Sequence, residues 1–292
     1  MTNPLVSPQL VSPQLVSPHR GFVSLTFDDA LNEHLDQAIP ILNAHGLSGT
    51  FYVHLSAESF TRRLEEWQAA ATSGHELGNH TIFHPADARK AWVREGNAID
   101  EYSLDRMRQE LAAANRLLQA LDGQEQRTFA YPCSNSVLGR IGIVKRLLFK
   151  LGYERSRLPG LVDRWGVDIG STRQSYVPVV REQLFAARGG GLEKESQVPP
   201  LDSIDRFMLP SVAVEGWSLR ELISFTEKGI ANRGWVIFQF HGIGGGHRLD
   251  CDLSVFRDFV AWLHGNINCQ VATVRQVSNK LWCRPAEQCS LG

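Results

Sequence analysis

No run in this chain is apolar for long enough to cross a bilayer. The longest candidate, Trp235 to Phe240, is strand-length, against the roughly 18–20 residues that a spanning helix needs. Charge of one sign is also missing. Thirty Lys and Arg stand against 31 Asp and Glu, a net charge of −1, and no basic block forms a nucleic-acid arm. Cysteine is sparse and odd in number, five in all with no C-x-x-C. That excludes a disulfide framework and a structural zinc knot, and leaves Cys283 and Cys289 as the one pair close enough in sequence to join. The start lacks the basic residues and continuous apolar stretch of a signal peptide. As written, the chain reads as soluble and cytoplasmic; an export signal upstream of a misassigned start would reverse that. Nothing in the sequence sets the oligomeric state.

What remains is ordinary globular material, 43% apolar and 21% charged in 292 residues, enough for one large domain. Residues 1–19 stand apart. "LVSPQLVSPQLVSPH", Leu5 to His19, writes a five-residue unit three times, each with a proline that bars a helix or a central strand. We read it as an extended tail before a single domain over 20–292. Strand and helix patterns then alternate. "GFVSLTF", "LSGTFYVHL", "HELGNHT", "RTFAYP", "WVIFQFHG" and "CQVATV" read as strands. "EHLDQAIPILNAHG" reads as a helix that Pro40 kinks or breaks and Gly46 closes. "RRLEEWQAAATSG", "SLDRMRQELAAANRLLQALDG", "VLGRIGIVKRLLFKLG", "SLRELISFTEKGIANRG" and "LSVFRDFVAWLHGN" read as helices; the one from Ser218 opens with a Ser218/Glu221 capping box. Residues 156–217 carry no clear period, and "AARGGGLEKESQVPP" reads as an exposed loop. The β–α alternation predicts an α/β fold, a parallel sheet or barrel with helices outside.

The reactive residues fall at strand ends, where such folds place their active face. Asp28 and Asp29 end the first strand, His80 the third, Pro132 the fourth, and His241 ends "WVIFQF". Two adjacent carboxylates repel, and a lone Asp pair is more often a helix cap than a site. A divalent cation reverses that balance, but only if the strand ends between them, because alternation would otherwise send them to opposite faces. His80 and His84, four apart and stopped by Pro85, share one face if the stretch makes a helical turn. Such a pair is roughly a one-in-three accident among ten histidines. With one Asp it becomes a two-His, one-carboxylate ligand set. His75 should face away from His80, as a packed or surface histidine. His34, His45, His54 and His264 show no partner pattern and receive no role. "GIGGGH" fails the G-x-G-x-x-G pattern, because the third position is His247. Of seven tryptophans, Trp235 and Trp262 read as core, and Trp92, Trp165 and Trp217 as candidates for the rim of a sugar site.

In order, "TFDD", "H-x-x-x-H-P", "FAYP" and "FHG" resemble the motifs of the polysaccharide deacetylases, carbohydrate esterase family four, over about residues 20–280. The resemblance implies a distorted (β/α) barrel of about seven strands. It implies Asp28 as general base, Asp29, His80 and His84 as metal ligands, and His241 as general acid. The backbone N–H of Cys133 would serve the oxyanion, with Tyr131 and Pro132 as site wall. The metal would be zinc, with cobalt, nickel, manganese or iron as substitutes, and the partner an acetylated carbohydrate. Two departures stand out. Ala130 occupies the place of an arginine that orients the base in many members, for which Arg127 or Arg188 could substitute. No Asp clearly matches the one that orients the catalytic histidine; Asp163, Asp168 and Asp202 lie in the right region.

A carboxylate in the ligand set leaves a zinc centre at net +1, so it acidifies water less than a three-imidazole site, and a separate base such as Asp28 becomes useful. The expected reaction is hydrolytic removal of acetyl groups from N-acetylated sugars. The same residues would suit an O-acetyl esterase acting on xylan-like sugars, or a small-amide hydrolase. A catalytically weak sugar-binding protein is a further alternative. A non-haem iron oxygenase also fits the ligand set, but leaves Asp28, Pro132 and His241 idle.

Overall fold

The computed structural model describes residues 21–153, 156–266 and 268–283. The repeat tail and Cys289 lie outside them. Seven parallel strands close on themselves in the order Gly21–Asp28, Thr50–Val53, Glu76–Asn79, Thr128–Ala130, Ala186–Leu192, Leu209–Ala213 and Trp235–Phe240. The last pairs with the first from Phe22↔Trp235 to Phe27↔Phe240. This is the predicted barrel. "CQVATV" contributes an eighth, short strand, Cys269–Val271, alongside the lower half of the first.

The strands form because their residues are apolar on both faces, as parallel strands enclosed by helices require. Val23, Leu25, Phe27, Phe51, Val53, Leu77, Val236 and Phe238 are wholly buried. Helices Leu64–Thr72, Leu219–Ala231 and Leu253–Gly265 pack their apolar stripes on this layer. Helix Leu104–Asp122 is capped as read: the Ser103 hydroxyl accepts from Arg106 N, and Gly123 closes it in the left-handed conformation. The Ser218/Glu221 capping box is formed. Before Pro40 the chain makes a wide π turn, His34–Ala38. A short α-helix, Ile39–Ala44, then takes the proline in its first turn, where no N–H is missed.

Three readings need correction. "AARGGGL" is not an exposed loop but the fifth barrel strand, with Ala186, Ala187 and Arg188 buried. Its small residues carry no strand signal because an arginine side chain, rather than an apolar one, fills the adjacent space. The strand bulges between Arg188 and Gly190, and Gly190 at φ +80 lies against Ser134, where a Cβ would sit 2.5 Å from the hydroxyl. The helix read from Val137 begins only at Ile143; Val137–Leu138 instead pairs antiparallel with Gln174–Ser175. Residues 156–217 also hold helices Leu158–Trp165 and Val177–Gln183 and the strand Leu209–Ala213. A further helix, Val274–Trp282, closes the amino-terminal end of the barrel. Buried Glu76 tethers it, accepting from Thr50 Oγ1 at 2.9 Å, from Arg275 N at 2.8 Å and from the Thr128 hydroxyl.

Of the two readings for His75, the packed one holds. Its Nδ1 accepts from Gly49 N at 3.1 Å and its Nε2 donates to Asn43 Oδ1 at 3.1 Å, and burial holds its imidazole down to about 4. An unfolded histidine protonates near pH 6.5. The native state therefore binds fewer protons between these values. The stability that His75 contributes is complete above pH ~6.5 and is lost as pH falls toward 4. Denaturant titrations at pH 7 and pH 5 should show about 1–2 kcal/mol more acid loss in the wild type than in His75→Gln. Equal losses would mean that His75 titrates normally in the folded chain.

Candidate active site

The carboxyl ends of the strands open into a cavity of about 890 Å³, lined among others by Asp28, Asp29, His54, His80, His84, Cys133, Gln239 and His241. All five side chains read as chemistry-bearing from the sequence line this one cavity.

The first strand ends at Asp28, and Asp29 turns into the left-handed region at φ +76. That reversal breaks the alternation and lets neighbouring carboxylates share a site. Ala30 follows at φ +50, its carbonyl accepting from the buried Ser59 hydroxyl. His80 and His84 also converge, though not on a helical turn. Residues 80–84 form a bend with Thr81 at φ +68 and His84 at φ +50. Side chains that accept backbone N–H groups fix it. Asn79 Oδ1 takes Thr81 N at 2.7 Å, Thr81 Oγ1 takes His84 N at 2.9 Å, and Glu110 Oε1 takes Ile82 N and Phe83 N at 2.9 and 3.0 Å. Of the seven described non-glycine residues at positive φ, six are Asp29, Ala30, Thr81, His84, Cys133 and Ser134, and only Arg233 lies elsewhere. Strain of this kind concentrates where surrounding contacts over-determine the backbone.

His80 Nδ1 donates to the Ala130 carbonyl at 2.8 Å. In the neutral ring that bond leaves Nε2 with a lone pair, 3.5 Å from Asp29 Oδ1. His84 Nε2 is 3.3 Å from the same oxygen. Burial, with His80 beside it, holds the His84 imidazole down to about 3, so it is neutral at pH 7. Asp29 Oδ1 is buried without a hydrogen-bond partner. Acceptors turned on one another in a buried space repel unless a cation lies among them. One donor atom from each residue falls within 4.8 Å of the others. The residues fit a divalent ion with open coordination positions.

Asp28 faces the same cavity. Arg188 Nη2 donates to both of its oxygens, at 2.6 and 2.5 Å, and Gln239 Nε2 donates to Oδ2 at 3.0 Å. Burial alone would raise this carboxyl, but Arg188, with His80 and His241, outweighs it and holds the group below its usual range. Arg188 resolves the first departure. It is the direct register partner of Ala130 on the neighbouring strand, so the guanidinium arrives from one strand over. Arg127 is engaged elsewhere, with Asp122 at 2.6 Å and the Leu77 carbonyl at 2.6 Å. Tyr52 lies beneath Arg188, 5.1 Å from the guanidinium.

His241 Nε2 stands 4.0 Å from Asp28 Oδ2. Burial lowers its pKa against the raising effect of Asp28. None of the three candidate aspartates orients it. Asp163 pairs with Lys145, Asp168 caps the helix at Ile143 through Gly142 N and Lys145 N, and Asp202 is exposed in a short turn. Two histidines hold His241 instead. His34, buried and depressed to about 4 by desolvation, donates from Nε2 to the His241 carbonyl at 2.7 Å. His247 stacks on the His241 ring at 5.1 Å and 21°. His54, 5.6 Å from His84, also lines the cavity. Sequence reading assigned no role to His34 or His54, and took His247 only as a break in a glycine pattern.

Cys133 lines the cavity at φ +51, and no acceptor among the described residues takes its N–H. Tyr131 and Pro132 are not the wall. Tyr131 is buried against Phe129 and Tyr176, with its hydroxyl on the Phe207 carbonyl at 3.1 Å, and buried Pro132 sets the turn behind Cys133. Among the tryptophans, Trp92 borders the cavity, its ring 5.3 Å from His84. Trp217 is buried against Phe225, and Trp165 is exposed away from the site.

Fold and cluster together define the class: a closed (β/α) barrel with a candidate Asp-His-His metal centre at its carboxyl rim. Within that class, residues 16–150 match the family model described as polysaccharide deacetylase, and the resemblance drawn from the motifs holds. The fold is similar to a Mycobacterium smegmatis protein provisionally described as a polysaccharide deacetylase (TM-score 0.58, 13% identity, 94% of this chain and 93% of that one). It is also similar to the Xyl-CE4 domain of a multidomain xylanase from a Trinervitermes trinervoides hindgut metagenome (0.51, 14%, 91% and 93%). A third likeness is the peptidoglycan deacetylase PdaC of Bacillus subtilis (0.50, 14%, 94% and 96%). At these identities the likeness concerns the fold. In sequence, 112 residues are 28% identical to a gellan lyase from Bacillus sp., covering 38% of this chain and 4% of that protein.

Two outcomes follow for the site. Calorimetry and metal analysis should find about one tightly held divalent ion per chain, lost in Asp29→Ala and His84→Ala and retained in Asp28→Asn; equal loss in all three would break this division. Removing Arg188 should cost about 3–5 kcal/mol, because it strands a buried carboxylate. The double variant Ala130→Arg/Arg188→Ala should recover part of that loss; no recovery would mean that the two positions do not serve the same carboxylate.

Proposed function

We propose that this protein is a metal-dependent hydrolase that removes acetyl groups from carbohydrates, in the first place N-acetylated sugars. The observation that carries the reading is the meeting, in one cavity, of an unpartnered Asp-His-His cluster with a second carboxylate that an arginine keeps ionised. Asp29, His80 and His84 would hold the ion. When bound, such an ion acts as a Lewis acid that polarises a carbonyl and eases ionisation of water.

The chain's own groups then divide the proton transfers. Asp28, kept ionised by Arg188 and aimed by Gln239, takes the proton from the attacking water. The Cys133 N–H, free of other acceptors, donates to the oxygen that gains charge; one such donor is worth on the order of 10²–10³ in rate. His241 gives a proton to the leaving nitrogen, a contribution of about 10²–10⁴. His34 anchors its backbone carbonyl and His247 stacks on its ring, with Nε2 4.0 Å from Asp28. A leaving alcohol could take the same proton, so these residues serve O-acetyl groups as well.

Acetate release should be measured from N-acetylated chitooligosaccharides beside acetylxylan. We expect turnover that chelator abolishes and zinc or cobalt restores; turnover that resists chelator would sink the reading. Asp28→Asn and His241→Ala should each lose about 10²-fold or more in kcat while still folding. In Arg188→Gln, Asp28 loses its main counter-charge and its pKa rises. The acid limb of kcat/KM, where a needed carboxylate becomes protonated, should therefore move to higher pH by about one unit or more. An unmoved limb would mean that Asp28 is not the base.

A further inference from the structure

Two loops flank the cavity, and each is clamped at its base. One leaves the His84 side and is closed by pairing of Ala86 with Ala98 and by Ile99 N donating to Ala86 O at 2.8 Å. It sets Lys90, Trp92 and Arg94 on the cavity wall. The other follows His241 and is closed by pairing of Gly242–Ile243 with Asp250–Cys251. Three glycines at φ +69, +130 and +79 fold it back, and Gly245 N donates to Asp250 Oδ1 at 2.9 Å. It sets His247 and Arg248 on the wall.

The charge of this wall is one-sided. Asp28 is neutralised by Arg188, Glu58 pairs with Arg62 at 2.8 Å, and Asp29 belongs to the ligand cluster. Only Glu33 remains as an uncompensated carboxylate on the lining. Against it stand Lys90, Arg94 and Arg248, none in an ion pair among the described residues. Lys90 instead reaches toward the Cys133 thiol and lies 5.6 Å from the Trp92 ring centre. Trp92 is 52% exposed, a large apolar face left open beside the cations. Cations gathered on a concave wall concentrate anions and favour anionic ligands over neutral ones of the same shape. An open indole face suits the C–H face of a sugar ring.

We propose that the acetylated substrate is anionic. It is a glycan that carries a carboxylate or phosphate group on the acetylated residue or its neighbour, gripped by Lys90 and Arg94 on one side and Arg248 on the other, with a ring on Trp92. The proposal rests on the deacetylase reading and narrows its substrate class.

The test compares metal-loaded enzyme on N-acetylated oligosaccharides of matched length in three forms: neutral, uronate-bearing and phosphate-bearing. At low salt, kcat/KM should be about tenfold or more higher on an anionic form, through KM, and the advantage should shrink as sodium chloride rises to about 0.5 M. Whichever anionic form leads identifies the acid group. Arg94→Gln/Arg248→Gln should bring the anionic-to-neutral ratio close to one, and Arg248→Glu should push it below one. Equal rates on all three substrates at every salt concentration, or a ratio that these variants leave unchanged, would overturn the proposal while leaving the deacetylase intact. If no substrate releases acetate, the deacetylase reading fails instead. Calorimetric titration of the same metal-loaded chain with the same oligosaccharides then still reads the charge preference, with tighter anionic binding supporting it and equal binding overturning it.

Discussion

The buried ion pair between Asp28 and Arg188 is the constraint around which the site is arranged. It spans the barrel from the first strand to the fifth, and removing either member would leave a buried charge without its counter-charge. Burial acting alone would push this carboxyl toward its neutral form. The guanidinium fixes its charge, and with Gln239 its orientation, while the left-handed turn at Asp29 points the next carboxylate to a different task. Two identical side chains, adjacent in sequence, thus differ in chemistry because one faces a cation supplied by the protein and the other faces only lone pairs.

Much of the site was legible before any coordinates. Asp28, Asp29, His80 and His241 stand where apolar strand patterns stop, in a parallel barrel all such stops face one way, and His84 follows His80 by four residues. The alternation of patterns carried a parallel sheet or barrel, and the motif resemblance chose the barrel. What could not be read follows from the same physics. Arg188 sits in a stretch of alanine and glycine because its own side chain fills the space that apolar residues fill elsewhere, so the strand loses the signal by which strands are found. Either of two arginines could have stood in for the missing one at Ala130, and only the register between the fourth and fifth strands separates them.

The support of the candidate metal ligands was equally hidden. Glu110 lies mid-helix, where a glutamate is an unremarkable residue, yet it accepts two N–H groups of the 80–84 bend and the Tyr102 hydroxyl at 2.9 Å. His34 looked like one more helical histidine, but the wide turn before Pro40 points it at the His241 carbonyl. Tyr131 and Pro132 were misplaced for the opposite reason. A motif names residues that travel together, and only Cys133 of that trio turns its surface to the cavity.

The relocated guanidinium has a consequence for how reactivity arises as the chain folds. Everything that would cage the cation lies before residue 150, whereas the counter-ion of Asp28 and the imidazole beside it come from the other half. A nascent chain that has formed only its first four strands would hold the candidate cage while Asp28 still lacked its counter-charge. The full arrangement waits until the cylinder shuts and the last strand docks on the first.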